Sequence, residues 1–202
     1  MGKIIVSNIV SLDGNYEGPG NNVMMLPMDG GFDSYNLERM KHADAVLLGA
    51  KSYQLFSSFW PMMAENPDAS PTHREFSTIY NKIQKIVVSD SMKESDLPEV
   101  WKDTTRIISK NVYDEIADLK KDTKGEIVMY GSHVLWNDLL KHGLVDELHF
   151  VIGNVVLGDG TPAFMETIAY DDAKTGLELL DLKKCEGSNN FVAKYKVVNK
   201  AA

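Results

Sequence analysis

Apolar residues along this chain follow two rhythms, and the places where one gives way to the other outline its architecture. The first run, KIIVSNIV at Lys3–Val10, is rich in Ile and Val and has too few polar breaks for a strand covered on one side only. It is predicted to be a strand buried on both faces near a sheet centre. Residues 11–22 carry Asp13, several glycines and Pro19, and read as a long loop of the kind that closes over a substrate or simply connects. Tyr35, Leu37 and Met40 give residues 33–42 a helical spacing, with Asp33 or Ser34 as the start signal. A short apolar strand at 45–48 ends at Gly49, and 51–59 has the spacing of another helix. Beyond a connection at 62–70 come a helix at 72–81, a strand at 83–89, a strand at 104–109, and a helix marked by Val112, Ile116 and Leu119.

The stretch from Glu126 to Phe164 organises the rest. Residues 126–130 form a short β-prone run that Gly131-Ser132 breaks just before apolar positions at Leu135, Trp136, Leu139 and Leu140. Ser132 is expected to cap that helix and Gly143 to end it. A glycine between a strand end and a helix start lets a ligand approach the backbone, and the helix's unpaired N–H groups favour an anion there. The same turn also occurs with no ligand, for its dihedral angles alone. Gly49 begins a second strand–glycine–helix unit, and two such units suit a dinucleotide with several phosphates. Residues 177–184 and 191–198 read as a closing antiparallel pair. Strands alternating with helices and then closing with strands predict a three-layer α/β fold with a mixed, mostly parallel sheet.

Composition narrows the partners. With 202 residues, 44% of them hydrophobic, the chain can bury a full core, and it is read as a single domain over 1–202. A formal charge of −8 argues against a nucleic-acid backbone as partner, and leaves an anionic cofactor to be held by local groups and backbone donors. One cysteine, Cys185, allows no intrachain disulfide and fits a reducing compartment. No secretory signal pattern and no apolar run of roughly 20 residues is present, so a cytoplasmic protein is expected. His133, His142 and His149 lack the spacing and the cysteine partners of a zinc site, and no metal is expected. Neither a Gly-x-Ser-x-Gly elbow nor a basic setting for Cys185 supports nucleophilic catalysis.

The runs GLVDEL (143–148) and VVLGDGTPAF (155–164) come with SLDG (11–14), LLGAKSY (47–53) with Trp60-Pro61 behind it, and KIVVS (85–89). In this order, and over nearly the whole chain, they resemble the dihydrofolate-reductase-like family. Within it they resemble the branch typified by the reductase domain of bacterial riboflavin biosynthesis. The resemblance implies a twisted sheet of about eight strands with helices on both faces and an antiparallel C-terminal edge. It also implies a reductase that moves hydride from NADPH, or NADH, to a small pteridine- or pyrimidine-like heterocycle, while the apolar closing strands at 177–184 and 191–198, whose edge can pair or stack with a second copy, predict a homodimer.

By that resemblance the cofactor site comprises Gly49, Ala50, Lys51, Ser52, Ser89, Ser109, Tyr130, Gly131, Ser132, His133, Val134, Leu135, Gly158 and Gly160. Asp13 is the candidate for the proton relay or for orienting the substrate, although an Asp-Gly pair also suffices as a plain turn. Three positions depart from the family pattern. Ala50 stands where Arg is common, Asp90 follows Ser89 where a cation would grip a 2′-phosphate, and Tyr130 replaces a Glu of the substrate site. Met24, Met25, Met28, Met62 and Met63 are placed in loops, where they line an apolar pocket or fill gaps.

Overall fold

The computed structural model describes residues 1–165 and 175–199. The chain runs through β1 (Lys3–Val10), β2 (Asn15–Glu17), α1 (Gly30–His42), β3 (Ala43–Gly49), α2 (Ala50–Met63), α3 (Pro71–Lys82) and β4 (Gln84–Val88). It continues through β5 (Thr105–Ile108), α4 (Val112–Asp122), β6 (Glu126–Met129), α5 (His133–Lys141), β7 (Glu147–Ile152), β8 (Thr161–Pro162), β9 (Thr175–Lys184) and β10 (Phe191–Asn199). Eight strands form one sheet in the order β5-β4-β3-β6-β1-β7-β10-β9. The first six are parallel, while β10 runs antiparallel to both β7 and β9. The predicted central strand is indeed internal: β1 pairs with β6 on one side and β7 on the other, and every residue after Lys3 is buried.

Strand alternation divides the core into two layers. Ala45, Leu47, Ile127 and Met129 face α4 and α5, where they meet Ile116, Leu119, Trp136, Leu139 and Leu140. Val46, Leu48, Val128 and Tyr130 face the other way, against Leu37 and Met40 of α1, Tyr53 of α2 and Phe76 and Tyr80 of α3. Right-handed crossovers require this division: the chain steps one way along the sheet from β1 to β5, and back the other way from β5 to β7. Burying Trp136, Leu139 and Leu140 contributes roughly 1.5–3 kcal/mol for each side chain, enough to hold a nine-residue helix that would be marginal alone.

Several local expectations shift. Helix α1 begins at Gly30 and not at Asp33 or Ser34, because the Asp29 carboxylate accepts from the Gly31 and Phe32 amides at 3.0 and 3.2 Å. Helix α2 runs past Pro61 to Met63, so Met62 and Met63 are helical and not in a loop. The carbonyls of its last turn find partners in α3: Trp60 O accepts from Ser77 Oγ at 2.6 Å and Pro61 O from Asn81 Nδ2 at 3.3 Å. Cys185 lies just past β9 in the hairpin turn, and burial pushes its thiol up, which fits an inert side chain. No helix among the described residues is long and apolar enough to cross a membrane.

Candidate functional site

Parallel strands place their C-terminal ends along one edge, and here β3 and β6 are neighbours. The two glycine corners that follow them are therefore side by side, and they are joined by hydrogen bonds. Gly49 N–H donates to Ser132 Oγ at 3.0 Å, and Ser132 N–H donates to Ser52 Oγ at 2.8 Å. Asn8 of β1 brackets the second corner: its Oδ1 accepts from Gly131 N–H at 2.7 Å and its Nδ2 donates to Gly131 O at 3.2 Å. Gly131 and Ser132 are both left-handed, at φ +60° and +56°. Glycine adopts this freely, but Ser132 is held there by its side chain, whose Oγ donates to Tyr130 O at 3.2 Å. Ser132 thus spends its hydroxyl on joining the corners and does not cap α5.

This bonding redistributes the donors expected at the edge. The amides of Gly49, Gly131 and Ser132 are satisfied within the protein. The free donors are the first-turn N–H groups of α5, at His133, Val134 and Leu135, which have no acceptor among the described residues. At the first turn of α2, Ala50, Lys51 and Ser52 offer a matching set, with the exposed Lys51 ammonium beside them. Both helices direct their positive dipole ends at this place. A side chain at 131 would fill the cradle, because a Cβ there would lie 2.9 Å from Ser52 Oγ and 3.4 Å from the Tyr16 hydroxyl. The residues therefore fit the phosphate-bearing part of a dinucleotide.

Ser89 and Ser109 extend the same edge past β4 and β5. Ser89 Oγ accepts from the Ser91 and Met92 amides at 3.3 and 3.1 Å, which shapes the turn, and Asp90 stands exposed beside it. Ser109 is exposed at the end of β5. From β5 to β6 the edge spans three strand spacings, roughly 14 Å. Tyr130 turns away from it: the side chain is buried under α1, and its hydroxyl donates to Asn36 O at 3.1 Å.

On the other flank, Asp13 ties two loops together. Its Oδ1 accepts from Leu157 N–H at 3.1 Å and its Oδ2 from Gly158 N–H at 2.8 Å. The Ser11 hydroxyl and these amides hold its carboxyl down to about 2, so Asp13 is ionised at neutral pH and is not a proton donor there. Gly160 is needed for close packing, since a Cβ on it would lie 2.2 Å from Glu17 O, while a Cβ on Gly158 would meet nothing within 4 Å. His133 Nε2 lies 2.9 Å from both Pro162 O and Ala163 O, which pins the start of α5 to this loop. Met24 and Met25 are exposed on the first loop, whereas Met28 packs against a small core of Ile9, Leu26 and Val151.

Two residues of the site escape the sequence reading. Asn8 had a signal, being a polar residue inside a strand otherwise built to be buried; Tyr16 had little, beyond being a lone aromatic among glycines. Two surface hollows lie elsewhere, one of about 320 Å³ at the start of β4 and β5 and one of about 450 Å³ beside Pro61 and Asn81. No cluster of His, Cys, Asp and Glu suited to a metal ion occurs among the described residues.

Comparison with known proteins places nearly the whole chain in a family and its fold among solved structures. The family model described as RibD C-terminal domain matches residues 2–190. The uncharacterized protein YyaP of Bacillus subtilis (strain 168) is 31% identical over 166 residues, which is 81% of each chain. Among solved structures, a putative riboflavin biosynthesis protein from Shewanella sp. PV-4 is similar at a TM-score of 0.67 and 20% identity, with 96% of this chain and 98% of that one covered. A dihydrofolate reductase from Enterococcus faecalis, complexed with NADP(H), is similar at a TM-score of 0.55 and 13% identity, with 97% and 96% covered. These likenesses establish a dihydrofolate-reductase-like fold.

Proposed function

The chain belongs to the RibD C-terminal domain family, and on that premise we propose that it is an NAD(P)H-dependent reductase of a small pteridine- or pyrimidine-like heterocycle. The observation that carries the reading is the pair of hydrogen-bonded glycine corners, with the free first-turn amides of α2 and α5 around one cradle. Those amides, with Ser52 and Lys51, would hold the phosphates, and Ser89 and Ser109 would extend the site along the edge. A reduced nicotinamide supplies hydride from its C4, so the protein's part is to hold, orient and exclude water. Asp13 serves this by fixing the loop at Leu157 and Gly158, an orienting role and not a proton relay. NADPH is the reductant expected from the resemblance, with NADH the alternative because Asp90 stands where a 2′-phosphate would want a cation.

Titration with NADPH and with NADH, followed by nicotinamide fluorescence, tests the reading, and binding of neither below ~1 mM would remove it. The first substrate to assay is the 5-amino-6-(5-phosphoribosylamino)uracil of the riboflavin pathway. Ala50, Asp90 and Tyr130 favour a second reading, a nucleotide-binding scaffold that kept the fold without turnover. Tight binding, with consumption at the buffer rate across pterins, pyrimidines and quinones, would select it. Assembly as a homodimer is supported by β9, whose Leu177, Leu179, Leu180 and Leu182 are 45%, 54%, 48% and 60% exposed on an edge strand. The single buried cysteine fits a cytoplasmic setting.

A further inference from the structure

Tyr16 sits where the pairing of β2 with β8 slips. Asn15 pairs with Pro162 and Glu17 with Thr161, which leaves Tyr16 as the unpaired residue between them. Such a bulge takes a side chain out of the strand's alternation and aims it elsewhere. Here the aim is well defined. The Tyr16 ring stacks on His133, with centroids 4.8 Å apart and planes 18° apart, and His133 is itself held by Pro162 O and Ala163 O. The stack carries the Tyr16 hydroxyl to the Gly131 corner, 3.4 Å from the point a Cβ on Gly131 would occupy. Ser52 Oγ lies 2.9 Å from the same point.

Both hydroxyls arrive with a proton to give. Ser52 Oγ accepts from Ser132 N–H, so its own O–H is not consumed by that bond. The Tyr16 hydroxyl makes no hydrogen bond among the described residues, and burial together with the Glu17 charge pushes its phenol up to about 12, so it stays protonated at neutral pH. A chain carrying −8 offers an anion no long-range attraction. Neutral donors converging at short range are what such a chain has to offer, and the unpaired amides of His133 and Val134 follow Ser132 directly in the chain.

We infer that Tyr16 is a ligand-binding residue of the dinucleotide site, its hydroxyl donating to a phosphate oxygen over Gly131 opposite the hydroxyl of Ser52. The inference rests on the reductase reading and adds to it a residue outside both glycine corners. Tyr16→Phe keeps the ring stack and removes only the donor. The test compares wild type, Tyr16→Phe, Ser52→Ala and the double variant in titrations with NADPH and NADH, with thermal melting of each ligand-free protein. Tyr16→Phe is expected to melt as wild type does and to bind the preferred dinucleotide roughly 10- to 100-fold more weakly, the loss typical of one hydrogen bond to a charged acceptor. The double variant should lose less than the product of the single effects, because both hydroxyls serve one phosphate. Reduced nicotinamide riboside, which has no phosphate, should bind wild type and Tyr16→Phe alike, a result a merely structural role would not produce. Equal or tighter dinucleotide binding by Tyr16→Phe overturns the inference, as does equal weakening of the riboside. If wild type binds neither dinucleotide below ~1 mM, the reductase reading itself falls, and this inference with it.

Discussion

Replacing Gly131 by alanine probes the shared corner most directly. Gly131 stands at φ +60°, where an L residue costs ~1–2 kcal/mol, while the loss of glycine's freedom in the unfolded chain returns ~0.4–1 kcal/mol. Backbone effects alone therefore come to about 1 kcal/mol. The new methyl would also lie 2.9 Å from Ser52 Oγ, so Ser52 must swing away from Ser132 N–H, its partner at 2.8 Å. Loss of that hydrogen bond adds roughly 1 kcal/mol. The total of about 2 kcal/mol corresponds, for a chain of this length, to a fall of roughly 4–8 °C in Tm. Gly187, in the β9–β10 turn, is the matched control: its φ is +69° and a Cβ there meets nothing within 4 Å. Gly187→Ala should lose only the backbone part, roughly 2–4 °C, and keep its affinity for dinucleotide. Calorimetry and fluorescence titration on the two variants read both quantities. Equal melting temperatures would refute the steric lock between Gly131 and Ser52. Unchanged affinity in Gly131→Ala would refute the corner as a phosphate seat.

Three other outcomes are expected. Because Asp13 is held near 2, its ionised form is whole above about pH 4 and is lost only as pH falls through about 2; Asp13→Asn should change the rate but add or remove no limb of the pH–rate profile between about pH 5 and 8, and a missing limb would contradict this. Lys85 is fully buried, with Nζ 2.9 Å from Ile83 O and 4.8 Å from the Trp101 ring centroid, and burial lowers its ammonium to about 7. The unfolded chain then binds a proton that the folded one has shed, so urea midpoints of wild type should rise from about pH 7 to 10 while those of Lys85→Met stay flatter; parallel curves would exclude it. Leu182→Lys should turn a dimer into a monomer in sedimentation at micromolar concentration, and a monomeric wild type would dismiss the assembly outright.

The sheet was legible because its signals are local. Ile and Val on both faces of KIIVSNIV put β1 inside, and the glycines at 49 and 131 marked the two corners without any knowledge of what packs there. What local patterning missed depends on distant partners. The helix start expected at Asp33 or Ser34 leaves out Gly31, yet Gly31 belongs to α1: a Cβ on it would lie 2.6 Å from the Ser188 Cβ, so glycine is the residue that lets the last hairpin close on this helix. Ser132 has the composition of a cap, but Gly49 and Tyr130 claim its hydroxyl. The helix expected at 51–59 stops short of Pro61, and α3 supplies the donors that let it run on to Met63. Tyr16 depends on a register slip between short strands far apart in sequence, a feature no window of residues contains.

The position of β1 between β6 and β7 also bears on how the protein is made. Its only sheet partners are translated much later, so a nascent chain carries the sticky ribbon KIIVSNIV bare until the ribosome has finished Met129. A segment buried along seven of its eight residues in the finished molecule is thus exposed early in synthesis, and a ribosomal pause ahead of β6 would prolong its risk of aggregation.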